Sequence, residues 1–353
     1  MKRQTAALLV IALFFSAFVC PCVARADAAL DWMQTAFSDG KHNAFTDLIL
    51  WHGKYFLCFR HAESHMSMDG EIRVMSSADM KTWTPCGTLD TLADDRDPHF
   101  AATDDELFVY FGAWNLKHAE GHGLPDRDCV RSYYASTKDG ETWTKIQGVY
   151  EPGWWLWRVR HHDGAFYSMA YTASRPKPPA RETRLLRSEN GLDWTLVTTV
   201  TKERMAGEAD ILFRKDGTSW IISRTGDDAG DAMWFRGDAT LTQWTPTNTG
   251  ILIHAPAFAV WKDRVFISGR ARAEEKKSVT KIWEIAGDKI EERITLPSGG
   301  DTSYPGLVVD PASENADAPS LFVSWYSQHE RETTPNSTKN TASIYVGRVT
   351  IRP

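Results

Sequence analysis

The sequence predicts an all-β protein, a six-bladed β-propeller with four-stranded antiparallel blades. Three observations support this prediction. A tryptophan-containing turn recurs at a nearly constant spacing, six strand-rich units follow one another, and no long amphipathic helix lies among them. A period of about 50 residues is typical of propellers, solenoids and arrays, and the count of six units fits blades arranged around one axis.

Composition narrows the class of protein. Of the 353 residues, 42% are hydrophobic and 24% are charged, as in soluble globular proteins, which excludes a disordered chain and a multi-span membrane protein. The 40 Lys and Arg are outnumbered by 46 Asp and Glu, so no broad basic field is available to bind nucleic acid. The high count of 15 Trp, with 24 Gly and 16 Pro, indicates many short strands joined by turns.

The first 28 residues have the features of a secretory signal peptide. Two basic residues precede an apolar stretch over residues 6–20 that is too short to span a membrane, and small residues around Ala26 offer cleavage sites. Cys20 lacks the small preceding residue of a lipidation signal, so no lipid anchor is expected. The sequence therefore predicts a secreted or periplasmic protein with no membrane span in its mature form.

Residues 29–353 form a single predicted domain. Its units carry runs of aromatic and branched residues, often preceded by a short turn with Gly or Asp. Alternation such as Tyr55-Phe56-Leu57-Cys58-Phe59 fits a buried strand better than a helix. The six predicted units span roughly 42–92, 93–150, 151–202, 203–250, 251–298 and 299–353.

A short turn motif marks four of the units. Each copy has a polar first residue, a turn residue and a Trp six positions after the first, whereas the last two units lack the motif. Such a turn caps a hairpin and its Trp packs between blades, so we assign the motif to the scaffold. The copies run from Ser77 to Trp83, Thr137 to Trp143, Ser188 to Trp194 and Asp238 to Trp244.

Beyond the turns, four residues occur in an informative order. Glu208 in Gly-Glu-Ala-Asp is followed by Arg224 in Ser-Arg-Thr, Arg270 follows Ser-Gly in the next unit, and Tyr304 lies in Gly-Asp-Thr-Ser-Tyr-Pro at the start of the last. The turns resemble shortened Asp-boxes, and this order of residues resembles the active site of the sialidase (neuraminidase) superfamily. The resemblance covers essentially the whole mature chain.

The chain also resembles a group of bacterial exo-sialidase-like proteins. The similarity lies in three further stretches, which are Leu156-Trp157-Arg158, Arg96-Asp97-Pro98 and Pro297-Ser298-Gly299-Gly300-Asp301. The two resemblances together imply an exo-acting glycoside hydrolase of sialidase type. Its substrate would be terminal sialic acid or a related acidic ulosonic sugar.

The resemblance also implies roles for the four ordered residues. A sialic acid carries a carboxylate on its anomeric carbon, which would repel a carboxylate nucleophile, so a neutral Tyr suits this task. Tyr304 would be the nucleophile and Glu208 the base that takes its proton. Arg224 and Arg270 would grip the substrate carboxylate through charge-assisted hydrogen bonds.

The sequence departs from the family at the first carboxylate-binding arginine. Where sialidases place it, this chain reads Asn-Ala-Phe-Thr-Asp over residues 43–47. Arg60, Arg96 or Arg158 would have to replace it. Asp97 and Asp301 complete the predicted substrate-binding residues.

A second departure concerns the acid that protonates the leaving oxygen. In the family it is an Asp in the loop after the first strands of blade 1. Residues 60–70 form that loop here, and by spacing His65 lies nearest to the expected position, with Asp69 close by. Both are therefore candidate catalytic residues.

Two other functions remain open at this point. A furanosidase-like hydrolase of the five-bladed type would use Asp47, Asp97 and Glu208 and would not need Tyr304, although the count of six units and the two arginines argue against it. A non-catalytic carbohydrate-binding propeller would bind a glycan without turnover. In each case the partner is a glycan or acidic sugar, and nothing in the sequence marks an oligomer interface.

No cofactor or metal is implied by the sequence. It contains no Gly-rich phosphate loop, no nucleotide-binding fingerprint, no Gly-x-Ser-x-Gly elbow and no His-Glu-x-x-His helix. Its aspartates are scattered over turns and are not arranged as a calcium loop.

Overall fold

The computed structural model describes residues 27–114, 130–173, 182–202, 207–225, 230–274 and 277–352. The predicted signal peptide lies outside these residues except for its last two positions. Within them the chain forms six four-stranded antiparallel sheets, so the predicted six-bladed β-propeller is confirmed. No helix in the described ranges is long and apolar enough to cross a membrane.

The strands follow one another around the ring in chain order. The first is β1 (Ala28–Phe37), and blade 1 contains β2 (His42–Trp51), β3 (Lys54–Ala62), β4 (Glu71–Ser77) and β5 (Thr84–Leu89). Blade 2 contains β6 (Asp94–Ala102), β7 (Leu107–Trp114), β8 (Val130–Thr137) and β9 (Gln147–Val149). Blade 3 contains β10 (Trp154–His162), β11 (Ala165–Thr172), β12 (Thr183–Ser188) and β13 (Thr195–Thr201).

The second half repeats this arrangement. Blade 4 contains β14 (Ala209–Phe213), β15 (Ser219–Ser223), β16 (Met233–Gly237) and β17 (Trp244–Asn248). Blade 5 contains β18 (His254–Trp261), β19 (Arg264–Arg272), β20 (Ser278–Ala286) and β21 (Lys289–Leu296). Blade 6 contains β22 (Thr302–Val309), β23 (Ser320–Ser327) and β24 (Ser343–Ile351).

The ring closes through its first and last strands. β1 pairs antiparallel with β24, from Ala28 opposite Ile351 to Phe37 opposite Ile344, and so supplies the outer strand of blade 6. The sequence analysis did not predict this strand and assigned blade 6 to residues 299–353 alone. The other unit boundaries agree with the strands to within a few residues.

The first strand of each blade lies nearest the axis, where first strands of neighbouring blades contact one another. β2 and β6 are buried along almost their whole length because both faces are covered, whereas the outer β17 is mostly exposed. The axis is therefore surrounded by side chains from every blade, and polar groups placed there are shielded from water.

One irregularity recurs in these inner strands. Phe45, Asp97, Ala255 and Tyr304 have positive φ angles of 58°, 52°, 49° and 49°. Each lies in a break of the strand register, between residues 44 and 47, 96 and 99, 254 and 257, and 303 and 306. A bulge re-aims the side chain that it carries, and non-glycine residues rarely adopt this conformation. Four blades thus hold a strained residue at the same level of the axis.

The turn motif has the structural role predicted for it. Asp79 Oδ1 accepts hydrogen bonds from the backbone of Lys81 and Thr82, both at 2.8 Å, and so caps the turn. In the second copy, Trp143 Nε1 donates to the Cys86 carbonyl of the preceding blade at 2.9 Å. The motif therefore closes a hairpin, and in the second copy its Trp also fastens the hairpin to the preceding blade.

Candidate functional site

Most of the residues selected from the sequence come together at the end of the axis where the inner strands begin. The β3–β4 connection, which carries His65, returns to this same end. Hydrogen bonds and electrostatic contacts link eight of the residues selected from the sequence, which are Tyr304, Glu208, Arg224, Arg270, Asp301, Arg96, Asp97 and His65.

Tyr304 and Glu208 form a buried hydrogen-bonded pair at the centre. The Tyr304 hydroxyl donates to Glu208 Oε1 at 2.5 Å, and the two residues are 7% and 6% exposed. The Tyr304 ring packs on the rings of Phe45 and Trp157, with centroids 4.7 and 5.7 Å away. These contacts hold the hydroxyl in place at the axis.

The surroundings set the protonation of this pair. Burial alone would raise the pKa of Glu208, but Arg224, His254 and the Tyr304 hydrogen bond together lower it below its usual range. Arg224 Nη1 donates to the same Oε1 at 2.5 Å, and the Ala255 amide donates to Oε2 at 2.8 Å. Burial and the Glu208 charge hold the pKa of Tyr304 well above its usual value. Tyr304 is therefore protonated and Glu208 is ionised.

Arg224 and Arg270 lie on the two sides of the pair. Each side chain is 19% exposed, so both residues are partly accessible to solvent. Arg270 donates to the Thr302 carbonyl at 2.8 Å and to the Tyr326 hydroxyl at 2.9 Å, and its guanidinium carbon lies 5.4 Å from the centre of the Tyr304 ring. Arg270 is thus anchored by blade 6 and lies against Tyr304, while Arg224 is held by its bond to Glu208.

Two further arginines share one buried carboxylate. Arg60 Nε donates to Asp94 Oδ1 at 2.8 Å, and Arg96 Nη1 donates to Asp94 Oδ2 at 2.9 Å. Arg60 is fully buried, whereas the Arg96 guanidinium lies 4.8 Å from the centre of the Phe45 ring. Arg96 therefore brings a positive charge over the segment in which the sequence lacks an arginine.

Asp301 joins two histidines at the rim of the site. Its Oδ2 lies 3.0 Å from His42 Nε2 and 2.6 Å from His65 Nδ1, and its Oδ1 accepts from the Tyr326 hydroxyl at 2.6 Å. Burial would raise the pKa of Asp301, but the hydrogen bonds from His42 and His65 hold it well below the usual range. Asp301 is therefore ionised and fixes both rings.

His42, His65 and Asp301 have possible metal-ligand atoms within 4.8 Å of one another, as in a metal site. However, Arg60 Nη1 lies 3.4 Å from His42 Nδ1, and Arg96 Nη2 lies 3.3 Å from His65 Nε2. A histidine that binds a metal normally donates its second ring nitrogen to an acceptor, whereas here a cation faces that nitrogen. The arrangement fits a hydrogen-bond network through Asp301 better than a cation site.

Arg158 lies deeper in the channel than the other predicted residues. It is 4% exposed, and it donates to Asp47 Oδ1 at 2.7 Å and to the carbonyls of Pro256 and Pro305 at 2.8 and 2.5 Å. These bonds connect blade 3 to blades 1, 5 and 6. Arg158 also lines a cavity of about 400 Å³ at the opposite end of the axis. This position favours a role in holding the blades together.

Asp69 closes its own loop, because its Oδ2 accepts from the Glu63 amide at 3.0 Å. His42 and Tyr326 take part in the site although the sequence analysis selected neither. His42 opens β2 and Tyr326 lies near the end of β23, opposite Ser303 in the sheet register. Only the pairing of neighbouring strands reveals their position, since no motif surrounds them.

Comparison with family models and with curated sequences returns no match. Among solved structures, a protein of unknown function from Dyadobacter fermentans DSM 18053 has a TM-score of 0.73 at 20% identity, covering 92% of this chain and 100% of that one. Trypanosoma rangeli sialidase has a TM-score of 0.64 at 13% identity, covering 87% of this chain and 55% of the sialidase. This chain therefore spans only about half the length of that sialidase. The Hadza microbial sialidase Hz136 gives 0.62 at 12% identity, covering 88% and 66% of the two chains. The chain therefore shares its propeller fold with sialidases.

Proposed function

We propose that this protein is an exo-acting glycoside hydrolase of sialidase type that removes a terminal sialic acid or a related acidic ulosonic sugar. The observation that carries the proposal is the hydrogen bond between the protonated Tyr304 and the ionised Glu208, with Arg224 and Arg270 on either side. The shared fold of known sialidases supports the same reaction class. The predicted signal peptide extends the proposal to a secreted or periplasmic enzyme.

The pair can supply a nucleophile that an anionic sugar does not repel. As Tyr304 Oη attacks the anomeric carbon, its proton passes along the existing hydrogen bond to Glu208 Oε1. The substrate carboxylate would lie between Arg224 and Arg270, whose guanidinium groups form paired hydrogen bonds with such groups. The intermediate is a tyrosyl glycoside, so the product keeps the configuration of the substrate.

The charges around the pocket favour an acidic ligand. Four buried or partly buried arginines, which are Arg60, Arg96, Arg224 and Arg270, pair with the carboxyl groups of Asp94, Asp301 and Glu208, so cationic side chains are concentrated at this end of the axis. Arg96 is the best placed of the three candidates to replace the arginine that the sequence lacks, because Arg60 is fully buried and Arg158 is bound deep in the channel.

The furanosidase-like alternative receives less support. It needs the carboxylate of Asp47 beside Asp97 and Glu208. Asp47 instead accepts hydrogen bonds from Arg158 and from the Phe100 amide at 2.7 and 2.8 Å, and it lines the cavity at the other end of the axis. A six-bladed ring also differs from the five-bladed type.

The test is turnover of fluorogenic α-glycosides of eight- and nine-carbon ulosonic acids by the mature protein, with Tyr304→Phe and Glu208→Gln beside it. We expect wild-type turnover with retention, and losses of about 10³-fold or more in both variants. Tyr110→Phe is the matched control, because its buried hydroxyl only donates to the Gly191 carbonyl between blades 2 and 3. Inversion of configuration, or full activity of Tyr304→Phe, would contradict the proposal. Glycan binding without turnover would instead identify a binding propeller.

A further inference from the structure

Asp97 is held in an unusual position at the centre of the site. It occupies the bulge of β6 with a φ of 52°, and it is 8% exposed. The equivalent bulge in β22 carries Tyr304. Backbone strain of this kind is concentrated at functional sites, and here it aims a carboxyl group and a tyrosine hydroxyl at the same region.

The carboxyl of Asp97 lacks the partners that a structural carboxylate would have. Its Oδ1 is buried and has no hydrogen-bond partner among the described residues. Asp94, on the same strand, contrasts with it because Arg60 and Arg96 bind both of its oxygens. Buried polar groups are normally hydrogen-bonded, so this oxygen points to a partner that arrives with the substrate.

The charged and titratable groups around Asp97 come from several blades. They are Arg96 and Asp94 on its own strand, Arg60 on β3, Glu208 before β14, Tyr304 on β22 and Tyr326 on β23. Burial raises the pKa of Asp97 to about 7, with Glu208 and Asp94 adding to the rise and Arg96 and Arg60 opposing it. A carboxyl group with this pKa carries a proton at or below neutral pH and can also release it.

The two acids suggested by the sequence are less well placed. His65 presents Nδ1 to Asp301 Oδ2 at 2.6 Å and Nε2 to Arg96 Nη2 at 3.3 Å, so in the tautomer that satisfies both contacts it has no proton directed at a substrate. Asp69 Oδ2 accepts from the Glu63 amide within its own loop. Asp97 alone combines burial, an unpartnered oxygen and electrostatic contact with Tyr304 and Glu208.

We propose that Asp97 is the general acid and base of the reaction, a role that the sequence analysis gave to the loop residues and that rests on the proposed function. Asp97 gives its proton to the glycosidic oxygen as the bond to the anomeric carbon breaks and Tyr304 Oη bonds to that carbon. In the second step the Asp97 carboxylate takes a proton from water, whose oxygen displaces Tyr304, and Glu208 returns the proton to the phenolate. The balance is one glycoside and one water to one sugar and one alcohol.

The experiment compares two leaving groups in wild type and Asp97→Asn. An alkyl alcohol, as in a sialyl disaccharide, needs protonation, whereas a nitrophenolate leaves without it. We expect kcat/KM of Asp97→Asn to fall by about 100-fold or more for the alkyl substrate and by about 10-fold or less for the activated one. The wild-type rate with the alkyl substrate should fall as pH rises through about 7, and this limb should vanish in the variant.

Asp95→Asn is the matched control. The pKa of Asp95 is also raised to about 7 by burial, but its oxygens accept from the Thr91 amide and hydroxyl at 2.7 and 2.5 Å. Asp95→Asn should change kcat/KM equally for the two substrates and should keep the fall in rate above about pH 7. If Asp97→Asn loses kcat/KM equally for both substrates, with an unchanged pH profile and an intact thermal transition, the role of Asp97 is overturned. The proposed function would still stand. Absence of wild-type turnover on every acidic glycoside would overturn the proposed function and this inference together.

Discussion

The hydroxyl of Tyr304 donates a 2.5 Å hydrogen bond to Oε1 of Glu208, although 96 residues separate the two along the chain. The same oxygen accepts from Arg224 at 2.5 Å. The base that would receive the tyrosine proton is therefore held ionised by a neighbouring cation. Arg224 thus keeps Glu208 ionised, but it also lowers the pKa of Glu208 and so makes it a weaker base. The pH dependence of the reaction can measure the balance between these two effects.

Arg270 is expected to recognise the substrate carboxylate. Because its guanidinium is anchored by Thr302 and Tyr326 and lies against Tyr304, Arg270→Gln should lower kcat/KM about 30- to 100-fold on an acidic glycoside, mainly through KM. With the methyl ester of the same substrate, the kcat/KM of Arg270→Gln should fall much less, because the ester has no carboxylate to bind. Steady-state kinetics on both substrates give the answer, with Arg348→Gln as a control far from the axis, on β24. Equal losses on acid and ester would contradict this role.

The acid side of the pH profile should report Glu208. Its pKa is lowered, so the ionised base persists below the usual glutamate range and kcat/KM should fall only as the pH drops below about 4.5. Arg224 is the leading group that lowers this pKa, so Arg224→Gln should move the acid limb to higher pH. The pH dependence of kcat/KM for both proteins is the measurement. A limb that stays in place or moves to lower pH in the variant would exclude this assignment.

Arg158 should matter for stability. Arg158→Met leaves Asp47 buried without its cation and should lower the free energy of unfolding by about 3–5 kcal/mol. Arg187→Met removes a surface pair with Glu189, whose side chains are 40% and 81% exposed, and should leave the free energy of unfolding nearly unchanged because solvent screens the pair. Urea unfolding of the two variants compares these values. Similar small losses in both would show that Arg158 does not hold the blades.

Gly306 should resist any larger residue. A Cβ there would lie 2.1 Å from the backbone nitrogen of Leu48, where β22 passes β2 at the axis, so Gly306→Ala should cost about 3 kcal/mol of unfolding free energy. Gly53, with a φ of 73° and open space around its Cβ position, is the control and should cost about 1 kcal/mol. Thermal unfolding distinguishes the two, and equal midpoints would show that the inner strands can separate.

Much of the fold could be predicted from local sequence. Strand alternation and the repeated turn depend on near neighbours, and the predicted unit 93–150 agrees with β6 to β9, which span Asp94 to Val149. β1 was missed because its pairing with β24 joins distant residues and leaves no periodic signal. In the same way His42 and Tyr326 carry no motif, and they reach the site only through strand pairing.

The site itself was predictable only in part. Residue order was sufficient to select Tyr304, Glu208, Arg224 and Arg270, and the structure brings these residues together. Sequence could not separate Arg96, whose guanidinium lies near the Phe45 ring, from Arg158 deep in the channel, because their depths depend on contacts with other blades. Asp97 was selected as a substrate-binding residue, and its unpartnered oxygen and positive φ become visible only in three dimensions.

The pairing of β1 with β24 also sets the order in which the molecule can be assembled. Blades 1 to 5 are each made from consecutive chain, whereas the sixth needs the first strand and the last. Tyr304 and Asp301 belong to this sixth part, while Glu208 and His42 belong to others. A nascent chain that lacks only the nine residues of β24 would thus have five finished blades and an open ring. We expect catalytic competence to appear only once β24 has paired with β1, as a direct signal that the circle has closed.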